Sequence, residues 1–210
     1  MLTRDYLLTM LEDIREKLCI FPQRAAEYAA QEAILVRMLR ATGPRECGES
    51  RAGDHGCISN ERDALAGALE QELSALMDTP LGPEVRFIQR VEEWKAQGFC
   101  VVPVDDSDRD TAAIAPGGTQ VQLTLPLFGD VDVVITPEAA PVEGRVPGHD
   151  DKATSCPGLV KALAIAAGKG SGQVQSSMAR AGIPEQERKI LLGRARLLVL
   201  LYEEMHKEIK

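Results

Sequence analysis

The sequence has few aromatic residues, few cysteines and few histidines. One Trp, three Tyr and four Phe make 4% of the chain, so a core must be built mainly from Leu, Ile, Val and Ala. There are five Cys and three His in 210 residues. An odd number of irregularly spaced cysteines, with no export signal before them, argues against a disulfide framework and for reduced thiols in a cytoplasm. The longest strongly apolar run, Leu197–Tyr202, is far short of the ~20 residues a spanning helix needs. The first eighteen residues carry Asp5, Glu12, Asp13 and Glu16, which excludes a signal peptide and leaves no membrane role in view.

What is present is ordinary for a globular protein: 44% hydrophobic and 27% charged residues. The charge is unevenly spread. The net charge of −8 divides into zero over residues 1–40, −13 over 41–151 and +5 over 152–210. An acidic middle followed by a basic end suggests a separate binding module.

Period-3.6 patterns mark the helices. Leu7, Leu11, Ile14 and Leu18 share one face of a first helix over 3–19, with Thr3 as N-cap. Phe21-Pro22 ends it, and a second helix over 23–40 completes a hairpin. Residues 42–58 read as a Gly-rich loop. Leu65, Leu69, Leu73 and Leu76 mark a third helix to Asp78, and Val85, Ile88, Val91 and Trp94 a fourth from Pro83. The period then falls to two: Phe99–Val104 reads as a strand, and Val121–Leu127 and Val131–Ile135 as a β-hairpin with Gly129-Asp130 at its tip. Four prolines and three glycines over 137–158 read as a linker. Three helices follow, over 159–167, 173–181 and 184–209. The expected fold is therefore α+β and mainly helical: an acidic helical and small-sheet domain over 1–136, a linker over 137–158, and a basic three-helix module over 159–210.

In that module, Gly182 suits a tight helix–helix turn, Ile183 an apolar plug, and Pro184 a helix start. With the leading helix Leu159–Ala167, the Gly168–Gly172 turn, the glutamine-containing helix Gln173–Ala181, Ile183 and Leu191-Leu192, the segment resembles the winged-helix (gamma) domain of FtsK-type DNA translocases. Met178 and Arg188 depart from the pattern, and helix continues where a β-wing would follow. The resemblance implies a helix-turn-helix and a DNA partner. The candidate DNA contacts are Lys169, Gln173, Gln175, Ser176, Ser177, Arg180, Arg188, Lys189, Arg194 and Arg196, supplying phosphate contacts and possible base readout. Glu185 and Glu187, in the first turn of the last helix, oppose phosphate. The seam Leu197, Leu198, Leu201 and Met205 offers a self-association interface or packs on the first hairpin; both fit the spacing.

Chemistry-bearing clusters are weaker. Cys47, His55 and Cys57, with His149 and Cys156, contain enough zinc-type ligands but match no established spacing. Ala167–Ser171 lacks the glycine and hydroxyl positions of a phosphate loop and follows a helix. Asp105, Asp106, Asp108, Asp110, Asp130 and Asp132 could hold a metal for hydrolysis, but no nucleophile–base set accompanies them. No cofactor is implied. The sequence reading is a non-catalytic DNA-binding regulator or accessory protein; the alternatives are a protein-interaction adaptor that oligomerises through its C-terminal helices, and a metal-dependent enzyme using the acidic loops.

Overall fold

The computed structural model describes residues 2–43, 55–97, 99–103, 119–125, 129–137 and 156–207, with side chains over 2–43, 61–97 and 157–207. The described elements are helices α1 (Arg4–Ile20), α2 (Ala25–Ala41), α3 (His55–Met77) and α4 (Leu81–Ala96), strands β1 (Phe99–Pro103), β2 (Thr119–Leu125) and β3 (Gly129–Pro137), and helices α5 (Cys156–Ala167), α6 (Ser171–Arg180) and α7 (Glu185–His206). Contacts divide them into two compact units, Met1–Thr79 with Ile183–Lys210, and Pro80–Gly182.

The first unit is a helical bundle. The Thr3 hydroxyl accepts the Tyr6 N–H at 3.2 Å and caps α1. This helix buries Leu7, Leu11 and Ile14; Leu18 is only half-buried. The Phe21 N–H closes on the Lys17 carbonyl at 2.9 Å, and Pro22 opens a single 3-10 turn into α2. Helix α2 packs on α1, α3 and α7, and α3 also packs on α7. Ile34, Leu35 and Met38 of α2, Leu65, Leu69 and Leu76 of α3, and Leu192, Leu198 and Leu201 of α7 form the buried centre. Helix α3 begins at His55, within the segment expected to be loop.

Two polar features sit inside this bundle. Gly193 of α7 lies so close to α2 that a Cβ there would stand 2.5 Å from Glu27 Cγ. Gln31 Nε2 donates to the Gly193 carbonyl at 2.9 Å, and Arg24 holds the buried Glu27 carboxylate through Nε and Nη2 at 2.9 and 2.8 Å. On the α3 side, Arg37 of α2 grips Glu72 with Nε and Nη2, and Arg194 of α7 approaches the same carboxylate at 3.9 Å. One α3 carboxylate thus faces guanidinium groups from both flanking helices.

In the second unit α4 packs on α5, β1 and β2, and α5 on α6. Its described core is Leu81, Val85 and Trp94 of α4, Val160, Leu163 and Ala166 of α5, and Val174 and Met178 of α6. The strand backbones pair antiparallel in the order β1-β3-β2, with Val101 opposite Ile135 and Val121 opposite Val133. Leu125 pairs with Gly129, so Gly129 and Asp130 are strand residues rather than the hairpin tip.

The expected α+β class is corrected to a helical, bundle-like fold. Of the residues whose side chains are described, 87% are helical and none lies in a strand. Every buried hydrophobic residue among them except Leu2 is on a helix. A period of two marks where backbone runs extended but not whether that segment supplies the core. Among the residues whose side chains are described, the apolar mass is carried by Leu- and Ala-rich helical seams. The acidic segment 105–110 and residues 138–155 of the expected linker lie outside the described residues; Cys156–Gly158 belong to α5.

Candidate nucleic-acid interface

The turn before α6 is built by glycine. The Gly168 N–H donates to Ala164 O at 2.9 Å and the Gly170 N–H to Ile165 O at 2.8 Å. A Cβ would stand 2.7 Å from Ala164 O at the first and 2.9 Å from Ile165 O at the second. Both contacts are with backbone, so only glycine fits without moving the chain. The tight turn places Lys169 just ahead of α6, exposed.

Helix α6 is two-faced. Val174, Ser177 and Met178 are buried. Gln173, Ser176 and Arg180, spaced three and four residues apart, are exposed along another side, and Lys169 is exposed in the turn ahead of the helix. Ser176 Oγ donates to Gly172 O at 2.9 Å and Ser177 Oγ to Gln173 O at 3.0 Å. The Ser177 hydroxyl is inside the unit, while Ser176 keeps oxygen lone pairs at the surface. Gln175 is half-buried. The helix ends at Arg180 with Ala181 as its C-cap, and Gly182 takes φ 78°, the left-handed conformation its sequence position suggests.

The candidate contacts on α7 are placed differently. Nη1 of Arg188 donates to Ile183 O at 2.7 Å, and its Nε is buried without a hydrogen-bond partner among the described residues. Lys189 pairs with Glu185 one turn earlier, and this hydrogen bond holds the Glu185 carboxyl below the usual carboxylate range. Arg194, with a side chain 20% exposed, faces Glu72. Arg196 is exposed. Leu197, Leu198 and Leu201 are buried within the first unit and Met205 is half-buried. The division between the units falls after Gly182, so α6 and α7 belong to different compact units.

No protein family, no curated protein and no solved structure matches this chain.

Other candidate sites resolve less. Cys47 and His149 lie outside the described residues; His55 and Cys57 in α3 and Cys156 in α5 are described in backbone only. Among the described residues no group of three or more His, Cys, Asp and Glu is placed to hold a metal ion, and no helix is long and apolar enough to cross a membrane.

Sequence reasoning missed Glu84. This first-turn residue of α4 is 3% exposed, and its Oε1 has no hydrogen-bond partner among the described residues. Burial pushes its carboxyl up to about 7. A glutamate just after a helix-starting proline reads as a dipole-compatible surface residue; nothing in its spacing signals burial.

Proposed function

We propose that this chain is a DNA-binding accessory protein of a DNA-processing system that holds phosphates on the exposed side of α6. The observation carrying this reading is the exposed stripe of Gln173, Ser176 and Arg180 on α6, apart from the apolar face that anchors the helix, with Lys169 exposed in the turn just ahead of it. Two cations flanking two neutral polar side chains suit a phosphate backbone: the cations supply attraction, and the amide and hydroxyl supply hydrogen bonds. This stripe narrows the sequence reading. Arg188 and Arg194 are engaged inside the first unit, Ser177 is buried, and Lys189 is paired with Glu185. The odd number and irregular spacing of the cysteines support a reducing, cytoplasmic setting.

The test is a fluorescence-anisotropy titration of labelled duplex DNA with the full chain at several salt concentrations. The full chain is required because α7 contributes its leucines to the core of the first unit. Two phosphate contacts give a slope of about −2 in log affinity against log salt. Replacing Lys169 and Arg180 together with Glu should abolish binding while leaving the helical circular-dichroism signal unchanged. Absence of binding at low salt, or binding indifferent to that double substitution, refutes the proposal.

A further inference from the structure

The second unit holds a carboxyl group that the α6 stripe does not use. Leu81, Glu84, Val85 and Ile88 follow the three-four spacing of one face of α4. Leu81 and Val85 are fully buried, and Glu84 between them is 3% exposed. Its Oε1 has no hydrogen-bond partner among the described residues. A carboxyl group thus occupies a position on an apolar seam where a leucine would be ordinary.

No counter-ion comes from the described elements packed around it. Helix α4 packs on α5, β1 and β2. The two strands contain no acidic or basic residue, and Cys100 is the one ionisable group in them. Helix α5 carries Cys156 and Lys161, and Lys161 is 66% exposed and paired with Glu92 at 3.1 Å. On α4 itself Arg86, Glu93 and Lys95 are exposed, and Lys95 also pairs with Glu92. Arg90, half-buried, lies six residues beyond Glu84 and so on a different side of the helix. Burial is accordingly the sole cause acting on the Glu84 carboxyl. An anion in this place has no cation to meet, so the group stays inside only while it keeps its proton.

Its way out is short. Glu84 lies in the first turn of α4, and a side chain there leans toward the helix N-terminus. That end has Pro80 as N-cap and no side-chain cap. The leading N–H groups of a helix make no intrahelical bonds, so opening its first turn breaks few of them. What holds the turn is the burial of Leu81, Gly82 and Val85.

We propose that Glu84 is a proton-operated latch on the start of α4: with its carboxyl neutral the first turn is seated, and on loss of the proton to solvent the carboxylate swings out to water and the turn unwinds with it. The far part of α4 stays in place, anchored by Trp94, which is buried about 15 Å further along the helix. Unwinding lengthens the connection between α3 and α4. The latch does not depend on the α6 stripe.

The seated carboxyl keeps its proton up to about pH 7, whereas the released one gives it up near 4.5. The opening equilibrium therefore rises about tenfold per pH unit between those values and is flat above. The experiment is amide hydrogen exchange by NMR on the full chain from pH 5 to 8, each rate corrected for intrinsic chemical exchange. Protection of the Glu84 and Val85 amides, which reach back across the first turn, should fall about hundredfold between pH 5 and 7. Protection of the Glu93–Lys95 amides should hold, as should the emission of Trp94, the one tryptophan in the chain. The carbon-13 shift of the Glu84 carboxyl, read in the same samples, should titrate near 7. Glu84→Gln keeps the shape but cannot ionise, and should make first-turn protection independent of pH. Constant protection in the wild type, an equal fall along the whole of α4, or a fall that survives in Glu84→Gln each overturns the proposal. So does a Glu84 carboxyl that titrates near 4.5, a wild-type measurement that decides the matter even if the variant fails to fold.

Discussion

Replacing Gly193 with Ala tests how closely α7 lies on α2. In an open helix interior, Gly→Ala stabilises by about 1 kcal/mol, because glycine loses more backbone entropy on folding. At Gly193 the added Cβ would stand 2.5 Å from Glu27 Cγ, 2.9 Å from Oε1 and 3.1 Å from Cδ. Glu27 is 6% exposed and its carboxylate is held by Arg24, so the side chain has little room to withdraw. Moving it strains a buried rotamer and loosens the Arg24 pair; overpacking of this kind costs about 1–3 kcal/mol. The Gln31 bond to the Gly193 carbonyl would also lengthen. The clash outweighs the propensity gain, and the expected net result is a loss of about 1–2 kcal/mol. Gly67 in α3 is the matched control: a Cβ there meets nothing within 4 Å, so Gly67→Ala should stabilise by up to about 1 kcal/mol. Urea denaturation followed by far-ultraviolet circular dichroism measures both. Adding Glu27→Ala to Gly193→Ala should recover part of the loss, since it removes the three atoms nearest the new methyl. A Gly193→Ala protein as stable as Gly67→Ala would refute the close approach.

Two further outcomes follow from buried charge. The folded Glu84 carboxyl, raised to about 7 from 4.5, holds its proton after the unfolded chain has released its own. Its contribution is therefore fully present below about pH 4.5, falls as pH rises to about 7 and is flat above, a change of up to roughly 3 kcal/mol. Urea melts near pH 5 and pH 8 should show this loss, and Glu84→Gln should flatten it; an unchanged slope in the variant rules out Glu84 as its source. Glu72→Ala removes the carboxylate that faces Arg194, which is 20% exposed and whose buried Nε has no hydrogen-bond partner among the described residues. It should cost about 2–3 kcal/mol, and Arg37→Ala less, because Arg37 is half exposed and water screens its pairing; equal losses in the two melts would contradict the assignment.

The helical frame was largely legible because local rules set it. Thr3 caps α1, Leu7, Leu11 and Ile14 face inward, and Gly182 makes the turn before α7. The fold class was not legible, because the alternation in Val121–Leu125 and Val131–Ile135 is a property of backbone extension, whereas membership of the core is a property of what lies opposite. The candidate interface was legible only in part. Gln173, Ser176 and Arg180 can be grouped by helical spacing, but Ser177 fits the same spacing, and its burial at the edge of that face depends on what packs against the helix. The fate of Arg194 depends on Glu72, a residue on another helix far away in the chain, and no periodicity reports such a pairing. Gly193 carried a faint signal: a glycine in the middle of a Leu-rich helix lowers helix propensity and is kept when a neighbouring backbone or side chain comes close.

The first unit is sewn from two distant stretches of chain, with α4–α6 intervening between α3 and α7. Its apolar centre includes Leu192, Leu198 and Leu201, which leave the ribosome after the whole second unit has been made. Until then α2 and α3 lack the helix that covers them, and the nascent chain carries an open hydrophobic groove through most of its synthesis. The second unit is continuous in sequence and can close on its own contacts first. Folding order is thereby inverted relative to synthesis: the N-terminal helices are made earliest and finish last, and a chain stopped at Gly182 keeps the surface that α7 would have sealed.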